Sequence, residues 1–136
     1  MRVTLPCVAI ESAYARGVEL GRSGRYFEAH EAFEEAWREA RADERDFFQG
    51  LVHVVVAWYQ DGRGNEVGCR RQLEKAQRRL AAFAPAYRGI DVAALLAALA
   101  RAEPPGLRPL DIPEADGVED APQPDVQPPL PVEEEQ

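Results

Sequence analysis

The sequence predicts an all-α protein, a compact four- to five-helix bundle followed by a disordered acidic C-terminal tail. Three observations lead there. Apolar residues recur at helical spacing through most of residues 1–103, and no stretch alternates in the manner of a strand. The connections between the periodic stretches are short and carry Gly, Asn, Asp or Pro. From Pro104-Pro105 onward, Pro and acid replace the periodicity, leaving too few large apolar side chains to offset the entropy of ordering. The expected division is a helical domain over 1–103 and a Pro-rich acidic tail over 104–136, with Leu107–Ile112 the part able to lie against the bundle.

The first helix is expected over Val8–Leu20, with Ile10, Ala13, Tyr14, Gly17 and Val18 to one side. Gly21 and Gly24 bracket the turn that follows. The second helix starts near Arg25 and runs to Arg41; Tyr26, Ala29, Phe33, Ala36, Trp37 and Ala40 make its core face, and Glu28, Glu35 and Glu39 lie opposite, in solvent. The third, Asp46–Asp61, organises the rest. Phe47, Phe48, Leu51, Val52, Val54, Val55, Val56, Trp58 and Tyr59 wrap it almost completely, so it belongs inside the bundle. Asn65 can cap the fourth helix, Glu66–Phe83, whose Cys69, Leu73, Ala76, Leu80 and Phe83 recur at alternating spacings of four and three. Pro85 ends it, Tyr87-Arg88-Gly89 makes the next connection, and Asp91 can cap a short fifth helix with Val92, Leu95, Leu96 and Leu99 inward.

The net charge of -8 is unevenly placed: Asp111–Gln136 holds nine acidic residues and no basic one, which leaves Met1–Leu110 at a formal +1. A body so near neutral gives no broad field for nucleic acid. The basic cluster Arg70, Arg71, Lys75, Arg78 and Arg79 reads as the solvated face of one helix, with a phosphate-bearing partner as the alternative. Cys7 and Cys69 form neither a disulfide framework nor a short-spaced metal pair, and Cys69 fits the apolar stripe as a small buried hydrophobe. The N-terminus is a poor signal peptide and no apolar run approaches the ~18 residues of a membrane span, so a soluble cytoplasmic protein is expected.

One lengthwise strip interrupts the apolar wrapping of the third helix. Asp46, Gln49, His53 and Gln60 fall within a wedge of about 60° on a helical wheel. Buried polar groups need partners, and the second helix offers them. His30 and Glu34, four residues apart, can point to one place, with Glu31 in reach. The expectation is that His30, Glu31, Glu34, Asp46, Gln49 and His53 converge. Such a set allows three roles. It can be a hydrogen-bonded network fixing helix register, or a pocket for a small-molecule ligand in which a Glu and a His share a proton as general base and acid. It can also be a site for a divalent metal such as Zn, Mn or Fe, drawn from His30, Glu31, Glu34, His53 and Asp46.

No known metal motif matches the spacing. The run HEAFE lacks the second His of HExxH, and the paired ExxH repeats of di-iron bundles are absent. Arg38 and Arg41 are expected to pair with Glu34 or with Asp residues of the next turn. Gly50, one heptad before Ala57, suggests a close helix approach; a larger group there should separate the two helices that carry the polar residues. Trp37, Trp58 and Tyr59 fit core packing better than contact with a cofactor.

The stretches YFEAHEAFEEAW, RDFFQGLVHVVVAWY and RGN together resemble DUF309, a family of small uncharacterised helical proteins of bacteria and archaea. The resemblance covers about Tyr14–Leu99 and leaves the tail outside. It implies a helical bundle, with Glu28, His30, Glu31, Glu34 and Trp37 matching the signature, followed by Gln49-Gly50, Arg63 and Asn65. The family often has Gln at the position of His53, which implies that a metal site needing His53 is not shared by relatives. Its emphasis on Glu28 implies a cap or pairing with the Gly21–Arg25 turn, or a contact with another subunit. No activity comes with the resemblance.

Two classes of function follow. A structural or protein-interaction module would satisfy the polar network of Glu28, His30, Glu31, Glu34, Asp46, Gln49, His53 and Asn65 internally and use an apolar patch to form a homodimer. A small metal-dependent hydrolase would instead leave a pocket walled by His30, Glu31 and Glu34. The first reading is preferred.

Overall fold

A computed structural model describes residues 6–116 of the chain. Five helices account for most of them: α1 (Pro6–Arg22), α2 (Tyr26–Glu39), α3 (Arg45–Gly62), α4 (Glu66–Leu80) and α5 (Val92–Arg101). The all-α expectation holds, and each expected helix is present within a few residues of its expected bounds. Short connections fold α1 to α4 back and forth, so that α2 packs between α1 and α3, and α3 between α2 and α4.

Small residues set how closely these helices approach. A Cβ added at Gly17 would overlap the Phe33 ring, so α1 and α2 meet through a glycine notch filled by an aromatic. At Gly50 an added Cβ would lie 2.6 Å from Leu80 Cγ and 3.3 Å from Arg79 Cβ. The close approach expected at Gly50 therefore exists, but it is between α3 and α4, not between α3 and α2. The core beneath is continuous. It runs from Ile10 and Ala13 through Phe33, Phe47, Phe48, Leu51 and Val55 to Leu73, Leu80, Leu95 and Leu99. No helix among the described residues is long and apolar enough to cross a membrane.

Asn65 caps α4 by accepting from the Gly68 amide at 2.9 Å, and Asp91 caps α5 through the Ala94 amide at 2.9 Å. After α4 the chain tightens into a 3-10 turn, Ala81–Phe83, which still buries Phe83. The connection that follows is a miniature antiparallel hairpin, β1 (Ala86–Tyr87) against β2 (Ile90–Asp91). Strands of two residues are too short to leave an alternation in the sequence. The turn between them, Arg88 (φ +48°) and Gly89 (φ +79°), has the positive φ pair of the mirror-image turns that join tight hairpins.

The segment after α5 moves the expected domain boundary. Of residues 104–116, expected in the tail, Pro104, Leu110 and Ile112 are buried. Asp61 accepts from the Gly106 and Leu107 amides, both at 2.9 Å, and the Trp58 indole donates to the Arg108 carbonyl at 2.7 Å. Arg22 donates to the Ile112 carbonyl at 2.7 Å, and β2 receives a bridge from Ile90 to Glu114. This C-terminal strap belongs to the bundle, as the Leu107–Ile112 contact foresaw. The expected disorder of 117–136 concerns residues outside those described.

Candidate functional site

The polar strip of α3 is an open ridge, not a buried seam. Asp46 is exposed, and Gln49, His53 and Gln60 are half-buried. Their partners come from α4 and from the turn before it. His53 Nδ1 lies 2.7 Å from Gln72 Oε1, Arg79 donates to Asp46 at 2.6 Å, and Gln60 accepts from Asn65 at 3.1 Å. No hydrogen bond or ion pair among the described residues joins His30, Glu31 or Glu34 to Asp46, Gln49 or His53. The expected convergence is not formed, and the described residues hold no group of three or more His, Cys, Asp or Glu side chains arranged to take a metal ion. The reason is geometric. A helical wheel gives the direction of a strip about its own axis but not the identity of the neighbour beside it.

The His53–Gln72 bond fixes the imidazole. With the proton on Nδ1 donated to the amide oxygen, Nε2 is left as a bare lone pair. Burial holds His53 below the usual histidine pKa; the Gln72 bond opposes this, and the charges of Arg79, Lys75 and Arg78 add to the lowering. Asp46, Gln49, His53, Lys75, Arg78 and Arg79 line a cleft of about 400 Å³ between α3 and α4.

On α2, His30 Nε2 faces Glu34 at 3.3 Å, and Glu34 is also 4.0 Å from Arg38, the pairing expected for that arginine. Arg41 meets Asp43 at 3.3 Å, again as expected. His30 Nδ1 is buried with no hydrogen-bond partner. A proton on Nε2 serves Glu34 and leaves Nδ1 as a lone pair, an orphan acceptor and not an orphan donor. Glu31 is exposed. Glu28 pairs with Arg25 at 2.7 Å, at the turn to which the family resemblance pointed, and that hydrogen bond lowers its carboxyl pKa.

Aromatic rings surround this polar edge. Phe27 is 49% exposed, with its ring centroid 5.6 Å from that of His30 and 5.5 Å from that of Tyr59. Arg63 lies over the Tyr59 ring and Arg45 over the Trp37 ring, so two cation–aromatic pairs flank this α2–α3 face. Trp37 and Tyr59 are half-buried, so the expectation of core packing describes only their inner faces. Trp58 is the buried one, under the strap.

The sequence reading missed the one buried acidic residue among the described residues. Glu44, in the 3-10 turn before α3, is 7% exposed. It accepts from Tyr87 Oη at 2.9 Å and from two nitrogens of Arg88 at 2.8 and 3.1 Å. Arg88 also reaches Glu11 at 2.7 Å, and its guanidinium lies over the Tyr14 and Phe48 rings. Burial disfavours the charged guanidinium, but the bonds to Glu44 and Glu11 outweigh it and raise the Arg88 pKa further. This knot ties α1, the turn before α3 and the hairpin together. It is the architecture of a fastener, with every oxygen of Glu44 engaged.

A second recess, about 660 Å³, lies between α5 and the strap, where Trp58, Ala94, Ala98, Leu107 and Leu110 form part of its wall. It contains none of the candidate residues. Burial and nearby Asp61 push the Cys69 thiol up to about 11, which leaves it protonated and inert at neutral pH.

Residues 14–72 match the family model described as a domain of unknown function, DUF309. The match begins at Tyr14, as the resemblance in the sequence does, and stops at Gln72, short of Leu99. It spans about half of α1, all of α2 and α3 and about half of α4, and therefore both the aromatic face of α2 and the helix that carries the ridge. No curated protein matches the chain.

Proposed function

We propose that this chain is a non-catalytic interaction domain that forms a homodimer through the α2–α3 face. The observation that carries this reading is Phe27, half exposed on α2 and in tilted contact with the His30 and Tyr59 rings. An exposed aromatic held by two further rings is the kind of anchor found at the centre of protein interfaces.

A second copy is the partner favoured by the charge pattern. Arg63 lies over Tyr59, whose ring touches Phe27, and Glu31 and Glu34 lie further along α2. A two-fold rotation centred near Phe27 would set the Arg63 of each copy against the acids of the other, as a self-complementary interface requires. In this reading the His30–Glu34 pair orients the anchor, and the ridge residues Asp46, Gln49 and His53 hold α3 against α4. The cytoplasm is the compartment assigned, in keeping with a buried free thiol at Cys69.

Light scattering on the full chain tests the proposal. The expected result is a dimer at micromolar concentration that Phe27→Asp converts to a monomer with unchanged helix content. A wild-type monomer would sink the reading. Elemental analysis of untagged protein, beside His30→Ala, tests the hydrolase alternative. Near-stoichiometric Zn, Mn or Fe that disappears in the variant would return His30, Glu31 and Glu34 to the role of metal ligands.

A further inference from the structure

The cleft between α3 and α4 is separate from the face assigned to the dimer, and its lining is chemically lopsided. Lys75 stands three residues from Arg78 and four from Arg79 on α4, spacings at which like charges repel. Of the three, Arg79 is neutralised, by Asp46 at 2.6 Å. Lys75 and Arg78 have no ion-pair partner among the described residues. The mouth of the cleft therefore carries, on two exposed side chains, an uncompensated double positive charge beside the half-buried Gln49 and His53.

We propose that this cleft binds a small soluble phosphate monoester, its oxygens held by Lys75 and Arg78 and its ester end lying toward Gln49. Charge would attract any anion; the number of unpaired cations narrows the class. Lys75 and Arg78 together suit a group that carries nearly two negative charges on several oxygens. A carboxylate carries one. A phosphate monoester, with its second pKa near 6, carries close to two at neutral pH, and its three oxygens can serve both side chains at once. The His53 imidazole, fixed by Gln72 through Nδ1, adds a polar edge to the same cleft. The volume of about 400 Å³ has room for the phosphoryl group and a few further atoms. Recessed, half-buried acceptors suit a soluble headgroup better than a flat membrane surface.

The test is a titration of the full-length protein with inorganic phosphate and with glycerol 3-phosphate, at ionic strength held constant with chloride, followed by the His53 ring resonances. The expected result is saturable one-site binding of both probes, weaker by about tenfold or more in Lys75→Gln and Arg78→Gln. Arg71→Gln changes an arginine of the same helix that does not line the cleft, and should leave binding unchanged. Shifts that fail to saturate, or an Arg71→Gln effect as large as that of Arg78→Gln, would reduce the site to diffuse surface charge and overturn the proposal. Equal binding of sulfate would overturn the assignment to phosphate. Binding to phosphatidic-acid vesicles with neither soluble probe bound would do the same for a soluble ligand. A monomeric wild-type protein would leave this site standing, because none of its residues belongs to the face assigned to the dimer.

Discussion

Glu44 and Asp46 stand two residues apart and each holds an arginine, yet they occupy opposite electrostatic worlds. Glu44 is buried, gripped through both oxygens by Arg88 and by the Tyr87 hydroxyl. The Asp46 side chain is 61% exposed and meets Arg79 through one oxygen, in water. A desolvated pair with all its bonds made is costly to break from one side, whereas an exposed pair contributes little and can exchange partners. A charge that fastens the fold and a charge left in water thus lie two residues apart in the chain.

The sharpest way to break that contrast is a matched pair of truncations. Glu44→Ala strips Arg88 of its main partner inside the protein and should cost about 3 kcal/mol, near the lower end for a buried pair because Glu11 remains. Asp46→Ala should cost at most about 1 kcal/mol. Urea unfolding of both variants checks the ratio, and equal losses would mean that the knot is no stronger than a surface pair.

A second change asks whether apolar packing holds the ridge in register. Gly50→Ala drives a methyl into Leu80 and should destabilise by about 1–3 kcal/mol. Adding Leu80→Ala should recover part of that loss, since the two changes share one contact. Strictly additive losses in the double variant would place the close approach elsewhere.

The smallest effect concerns pH. His53 is held below its ordinary pKa in the fold, so the unfolded chain binds its proton first as acid is added. The stabilisation this histidine gives is complete above the unfolded value of about 6.5 and fades as the pH falls through the folded one. His53→Gln should flatten the stability profile on the acidic side of that value and leave the alkaline side unchanged. A profile identical to wild type would mean that the imidazole is more hydrated than its burial implies.

The helices were legible because periodicity, caps and turn glycines agree at each one. Asn65, Asp91 and the Cys69–Leu73–Ala76–Leu80 stripe act as their positions in the sequence suggested. The polar strip of α3 was legible as a strip, the Arg38–Glu34 pairing because a helix brings i and i+4 together, and the Arg41–Asp43 pairing because the two stand close in one turn. What the strip faces was not, since that depends on which neighbour Gly50 admits. The Glu44 knot was hidden for a related reason. A lone acid in a polar turn looks ordinary, and its partner Arg88 is supplied by a hairpin 44 residues away. The strap was hidden because its hold comes from backbone groups bonded to Asp61, Trp58, Tyr26 and Arg22, which leave no periodic mark.

The strap also sets an order of events in the life of the chain. A protein is made from its N-terminus, and α1 to α4 emerge before Ile112 exists. Until then Gly21, Val55 and the Trp58 indole, the surfaces and donor that Ile112 and Arg108 will cover, stand open to water or to whatever else meets the nascent polypeptide. Arg22 must wait for a carbonyl 90 residues downstream. The newborn helices are therefore a lidless body until the strap is made and closes over them.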